Sequence, residues 1–323
     1  MKAYVAAGCV AVAAGVSGAE IVGMHDSTGL PLIERLLAGS GATTADLRAD
    51  RTQYVGLTDA GAQAGLYSSL VLRGAEGTSQ TLGSGIMLTS GLATGLPSQN
   101  EIGWYSNVTG TGGNNYFRDF PAQTGTSRHG GRLQEHDENA ITFELWVPEG
   151  VNGLTADFVY ASEEFPEWSG TQYADGFAFF VNNVNYARLA DGRPVSLLSE
   201  TDNIHFMTNG DSMDPSVPSV ADVEYDGLSR VLELTARLEP GRYNEITIVV
   251  ADTGDEIYDS AVFLSSLRFL EGESPFPDDD CSVRLRRRGS EDDTYQEFEG
   301  VPAPGAMALS VVGGVLMGRR RRR

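Results

Sequence analysis

Carboxylates carry most of the chemistry open to this chain. Three acid-bearing segments stand out: Ser162-Glu163-Glu164-Phe165-Pro166-Glu167, then Tyr173-Ala174-Asp175-Gly176, then Asp252-Thr253-Gly254-Asp255-Glu256-Ile257-Tyr258-Asp259. A hard cation such as Ca²⁺ takes ~6–8 oxygen ligands in flexible geometry. Glu163, Glu164, Asp175, Asp252, Asp255 and Asp259, with Asn182 as a further oxygen donor, are numerous enough for a structural calcium site. Their spacing matches neither the EF-hand loop nor the Gly-rich nonapeptide repeats. The plain alternative is local: Asp252 and Asp255 closing Asx turns, Asp259 accepting backbone N–H groups, Glu163 pairing with an arginine. A glycosidase needs two acids facing each other ~5–10 Å apart. Glu163 and Glu164 are neighbours and point to opposite faces of a strand, which leaves Glu164 with Asp175 or Asp255.

Other catalytic constellations are missing. There is no Gly-x-Ser-x-Gly elbow between a strand and a helix, no phosphate loop and no dinucleotide fingerprint. His129 and His136 flank a Gly/Arg-rich loop, with Asp137 and Glu138 beside the second. That grouping admits a zinc site, against the simpler expectation of exposed loop histidines; His205 reads as an ordinary strand residue. Of the two cysteines, Cys9 falls in an N-terminal leader and Cys281 stands alone, so no internal disulfide staples the core. Trp104-Tyr105, Tyr116-Phe117 and Trp168 lie in Gly/Asn-rich segments. Such rings either stack on sugars or pin long loops onto the body.

These residues need elements to hold them. From about residue 64 to 270 the apolar pattern alternates with period two. Ile141-Thr142-Phe143-Glu144-Leu145-Trp146-Val147 and Val231-Leu232-Glu233-Leu234-Thr235-Ala236 show it cleanly, while Ile246 to Val250 and Ala261 to Leu264 are denser, as for strands covered on both faces. Turn dipeptides such as Asn152-Gly153, Asp226-Gly227 and Pro240-Gly241 separate them. The expectation is an all-β fold, one large β-sandwich or jelly-roll-like domain over residues 28–270, with one short N-terminal helix. Thr28 caps that helix, Pro31 sits in its first turn, Leu32, Ile33, Leu36 and Leu37 form its apolar face, and Gly39 ends it. Leu154 to Ser162 and Gly176 to Asn182 read as two strands of a hairpin that brings Glu163 and Glu164 close to Asp175.

The ends read as addresses. Residues 1–19 have a positive start at Lys2, an apolar stretch from Tyr4 to Val16 and small residues at Ser17-Gly18-Ala19, the pattern of a secretory signal peptide. Residues 271–300 are poor in apolar side chains and form a linker. Val301-Pro302-Ala303-Pro304 then precedes an uncharged run, 306–318, of marginal length for a membrane helix, and Arg319 to Arg323 close the chain. The formal net charge is −21. The only lysine is Lys2, so the body is more acidic than the whole. Such a body repels nucleic acid and anionic membranes.

The C-terminal arrangement resembles the PEP-CTERM class of sorting tails, with Ala303 where the family name has Glu. That resemblance implies an exosortase-like processing enzyme as partner and membrane attachment, transient or permanent, through the C-terminus. Phe158 to Glu167, Tyr173 to Asn182 and Val249 to Leu264, with Leu32 to Gly41 and Gly85 to Gly91, resemble the choice-of-anchor L domain family, whose members carry one extracellular domain on alternative anchors. No catalytic residues carry over from it. The expectation is therefore an exported cell-surface or extracellular-matrix protein whose sandwich adheres or binds without catalysis. Polysaccharide is the partner class and Ca²⁺ a structural ligand. A secreted carbohydrate-active hydrolase and a purely structural envelope component are the alternatives.

Overall fold

The computed structural model describes residues 19–272, apart from 59–60, 75–77, 97–98, 119, 121–133, 172, 174, 190–191, 198–205 and 211–215, together with 286–287. The signal peptide, most of the linker, Val301-Pro302-Ala303-Pro304, the 306–318 segment, Arg319 to Arg323, His129, His205 and Cys281 lie outside the described residues. Among the described residues no helix is long and apolar enough to cross a membrane.

The chain is mostly strand. The first third gives β1 (Ile21–Gly23), α1 (Leu30–Leu37), β2 (Gln53–Val55), β3 (Ala64–Tyr67), β4 (Leu70–Arg73), β5 (Ser79–Leu82) and β6 (Gly85–Thr89). Next come β7 (Glu135–Val147), β8 (Val151–Ser162), β9 (Gly176–Val181), β10 (Val184–Asn185), β11 (Val195–Ser196) and β12 (Phe206–Thr208). The last are β13 (Gly227–Ser229), β14 (Leu232–Arg237), β15 (Arg242–Thr253), β16 (Ser260–Ser265), β17 (Arg268–Glu271) and β18 (Arg286–Arg287).

Two antiparallel sheets face each other. The larger runs β1-β3-β6-β16-β8-β13-β12, and the lower half of β8 also pairs with β14 and β17. The smaller runs β10-β9-β15-β7-β2, with β11 on β9. Alternation decides which side chains meet. Phe158 and Tyr160 of β8, and Val262 and Leu264 of β16, join Phe143, Phe177, Phe179, Ile246 and Ile248 of the smaller sheet in the main core. Their neighbours Val159, Ala161, Ala261 and Phe263 point the other way, under the β4–β5 hairpin and the 220–225 segment, with Leu72, Leu82, Val223 and Tyr225. The larger sheet is thus covered on both faces, which is why β8 and β16 read as continuous apolar runs.

Helix α1 lays Leu32, Ile33, Leu36 and Leu37 into the main core, as its spacing predicts. Its cap differs from expectation. Gly29, at φ 71°, is the N-cap and has no side chain to offer; Thr28, one residue earlier, accepts the Leu30 N–H on its hydroxyl at 3.2 Å while donating to Asp26. A second difference matters more for the site. Strands β8 and β9 do not pair as a hairpin: they lie in opposite sheets, joined by an arch over the edge of the sandwich. The fold also begins before residue 28, since Ile21 pairs with Tyr67. Within the expected linker, Arg286 and Arg287 pair with Glu233 and Leu232 of β14.

Candidate functional site

One rim of the sandwich gathers the acids. Pairing places the ends of β6, β8 and β15 and the starts of β7, β9, β13 and β16 side by side there. The loops leaving this rim are 163–175, 253–259 and the long stretch 90–117. A β-bulge adds to the gathering. Residue 250 opposes 139 while 252 opposes 136, so β7 has one residue more than β15 here. Asp137 takes φ 49°, and both Asp137 and Glu138 turn inward.

The long loop is held by carboxylates. Glu224 accepts the Glu101 and Ile102 amides at 3.2 and 2.8 Å. Glu163 Oε1 accepts Tyr105 N at 2.9 Å, and Asp259 accepts Asn107 N and Nδ2 at 2.9 and 2.8 Å. Asp137 accepts Gly110 N at 2.7 Å, Glu138 binds Asn114 through both amide nitrogens, and Glu135 accepts Phe117 N. All six acids are buried. A Gly/Asn-rich loop offers few side chains to anchor it, so its backbone N–H groups are the available handles. Each such bond contributes ~0.5–1.5 kcal/mol net, enough in series to fix a loop that makes one bridge to β7, Gly112 with His136.

The six residues expected to bind calcium therefore divide. Glu163 and Asp259 clamp the loop; Glu163 Oε2 also accepts Asp226 N at 3.2 Å, and no arginine pairs with it among the described contacts. Asp255 closes an Asx turn onto Ile257 N at 3.1 Å. Asp175 accepts Ser260 Oγ at 2.6 Å and Thr253 N at 3.1 Å. Glu164 accepts Asp175 N at 3.3 Å, so the two meet although their strands do not pair. Asp252 is fully buried, with neither oxygen in a well-formed hydrogen bond, although Asp175 and Ser90 lie beside it. Asn182 is excluded from this group. It sits at the opposite rim, bonded to Asn244 and Glu245.

Burial dominates the electrostatics. It pushes Glu163 up to about 9, with the Asp226 charge adding to the effect. It takes Asp175 to about 8 against the bonds from Ser260 and Thr253, and Glu135 and Asp259 each to about 7. Glu164 and Asp252 rise well above the usual carboxylate range, burial first and the Asp175 charge second. Glu138 and Glu224 rise as well.

A glycosidase pair must border substrate. Glu164 and Asp175 are each only 1% exposed and pack on one another. His136 pairs through Nδ1 with Glu256 at 3.0 Å. Among the described residues no three His, Cys, Asp or Glu side chains are grouped to hold a metal ion as they stand.

Aromatic rings cover the outside of the same rim. Trp168 is 39% exposed and stacks on Tyr258, centroids 6.2 Å apart and planes at 29°. Tyr173 meets Trp168 edge-on at 5.8 Å and 87°. Tyr258 holds φ 69°, an uncommon conformation for a bulky side chain and one that concentrates at functional sites. Trp104, 68% exposed, projects from the clamped loop. Tyr116 is half-buried, and Phe117 is wholly buried against Phe120. Glu135, Asp137, Glu138 and Glu224 were not foreseen as loop clamps. For the first three the visible signal is the polar run Glu135 to Asn139 at the start of β7; Glu224 has no such mark.

The fold and this rim define an all-β domain whose loops are pinned by buried acids and faced with aromatic rings. The choice-of-anchor L domain profile matches residues 25–269, and the chain belongs to that family. The family is one of cell-surface or exported proteins and is not a known enzyme family. No curated protein and no solved structure matches the chain.

Proposed function

We propose that this protein is exported and displayed at the cell surface or in the extracellular matrix, where the loop rim binds polysaccharide without cleaving it. The observation that carries this reading is the solvent-facing stack of Trp168 and Tyr258, flanked by Tyr173. Flat apolar faces suit the C–H faces of sugar rings, and rings already fixed by packing lose little freedom on binding. The clamped loop makes the surface preorganised rather than floppy. Export through the 1–19 leader and sorting through Val301-Pro302-Ala303-Pro304 by an exosortase-like enzyme complete the proposal. Affinity electrophoresis through gels containing a polysaccharide panel tests it. At least one polymer should retard the protein, and Trp168→Ala should lose roughly tenfold in affinity or more. Unretarded migration in every gel, or retardation indifferent to Trp168, defeats the reading.

A structural Ca²⁺ belongs to the same proposal. Asp252 supports it: a buried carboxylate with both oxygens unsatisfied costs stability unless a proton or a cation compensates. Asp252, Asp175 and the Ser90 hydroxyl would be its first donors, with rotation of Glu164 adding another. At a calcium concentration ~100 times Kd the gain is about 2.7 kcal/mol, or a melting shift of roughly 5–10 °C for a domain of this size. Asp252→Asn should abolish the difference between calcium and chelator. Identical melting of the native protein in both would remove calcium from the account.

A further inference from the structure

We infer that the sugar taken by the Trp168–Tyr173–Tyr258 cluster is cationic: a polysaccharide carrying free amino groups, such as a deacetylated hexosamine polymer. This rests on the polysaccharide reading above and narrows it to one class of ligand. Ring geometry is the first argument. Trp168 and Tyr258 lie nearly face to face at 29°, and Tyr173 stands across Trp168 at 87°, so the three rings are held in two orientations, with Trp168 the most exposed of them. An ammonium near such faces is attracted by their negative quadrupoles, an interaction that neutral sugars lack. The strained φ 69° of Tyr258 keeps its ring in the stack at a conformational cost.

Charge is the second argument. The segments 163–175, 253–259 and 99–117 that build this rim contain no lysine and no arginine. Two of the three rings have acids beside them in sequence: Glu167 next to Trp168, and Asp255, Glu256 and Asp259 around Tyr258. Glu167 is exposed, Asp255 and Glu256 are partly exposed, and Asp259 is buried beneath. Among the described residues of the rim, Arg118 follows the long loop and His136 is paired with Glu256, so a uronate or sulfated polymer would meet mainly acids. An amine finds aromatic faces and carboxylates together.

The test is calorimetry on the full chain near pH 5.5, with three soluble probes: glucosamine oligomers, N-acetylglucosamine oligomers and oligouronates. The glucosamine oligomers should bind about tenfold tighter than the acetylated ones. Trp168→Ala should remove that preference while keeping the protein's charge. Asp255→Asn, which leaves every ring in place, should reduce it. If acetylated oligomers bind equally well, the charge selection is wrong and the polysaccharide reading survives. If glucosamine binding persists unchanged in Trp168→Ala, the attraction is that of the acidic body as a whole and the site is wrong. If no saccharide binds, both proposals fall.

Discussion

Taken from pH 5 to pH 8.5 in the presence of chelator, the protein should lose roughly 10 °C or more of melting temperature. The sign follows from the buried acids. Glu135 and Asp259 hold their protons to about 7 and Glu163 to about 9, against ordinary values of 4.5, 3.8 and 4.5. A carboxyl with a raised folded value favours the protonated folded state. Its stabilisation is complete below pH ~4 and is lost as pH climbs through the folded value. Glu135 and Asp259 are thus spent near neutrality, and Glu163 keeps losing toward pH 9. Each unit of displacement corresponds to about 1.4 kcal/mol. Discounting for mutual relaxation, three such groups amount to ~5 kcal/mol, which at ~2–4 °C per kcal/mol gives the stated drop. Repulsion within a body of net charge −21 acts in the same direction. Glu163→Gln keeps an oxygen for Tyr105 N but cannot ionise, so its melting profile should be flatter above neutrality. A native profile that is level, or that rises with pH, would refute the assignment of these acids as buried and uncompensated.

Replacing Gly91 by alanine should destabilise the domain by ~3–5 kcal/mol and release the long loop. Gly91 needs no unusual backbone angle; the reason is space. A methyl carbon there would lie 1.7 Å from Asp259 Oδ2 and 2.1 Å from its Cγ. Asp259 has no free direction, for it is fully buried, holds Asn107 with both oxygens, receives Glu163 N on its carbonyl and donates its own N–H to Tyr105 O. Overpacking of this kind costs ~1–3 kcal/mol, and stranding a buried carboxylate and its amide partners adds ~1–3 kcal/mol. Hydrogen exchange should rise at Tyr105 and Asn107 before the sheets open. Combining Gly91→Ala with Asp259→Ala removes the clash, so the pair should be less destabilised than the two single changes added together. An alanine variant that melts with the native protein would show that Asp259 is not seated against residue 91.

Much of the architecture was legible because period two is a local property. Leu232, Leu234 and Ala236 alternate into the core along β14 as written in the sequence, and so do Ile141, Phe143, Leu145 and Val147 along β7. The helix was legible from Leu32, Ile33, Leu36 and Leu37. Strand partnership was not. Nothing in Val151–Ser162 or Gly176–Val181 says that the chain crosses between sheets, because alternation fixes a face and not a neighbour. Glu164 and Asp175 still meet, since both stand at the rim where the crossing occurs. The role of Glu163 was hidden for a different reason: its partner Tyr105 N belongs to a loop whose side chains carry no signal, whereas Asp259 does accept a backbone N–H, as its plainer reading had it, from Asn107 of that loop. Asp255, by contrast, makes the Asx turn that its Asp-x-x setting suggests.

Where the chain leaves the sandwich sets its bearing. Glu271 lies against Val151, at the foot of β8, whereas Ser162 at the head of that strand stands among the acids. Twelve residues of strand separate the two ends, a span of roughly 35–40 Å. The chain does not depart at that foot, however: Arg286 and Arg287 lie along Glu233 and Leu232, level with Asp157 and Phe158 at mid-strand and running toward Ser162, so whatever follows residue 287 sets out from the flank of the larger sheet.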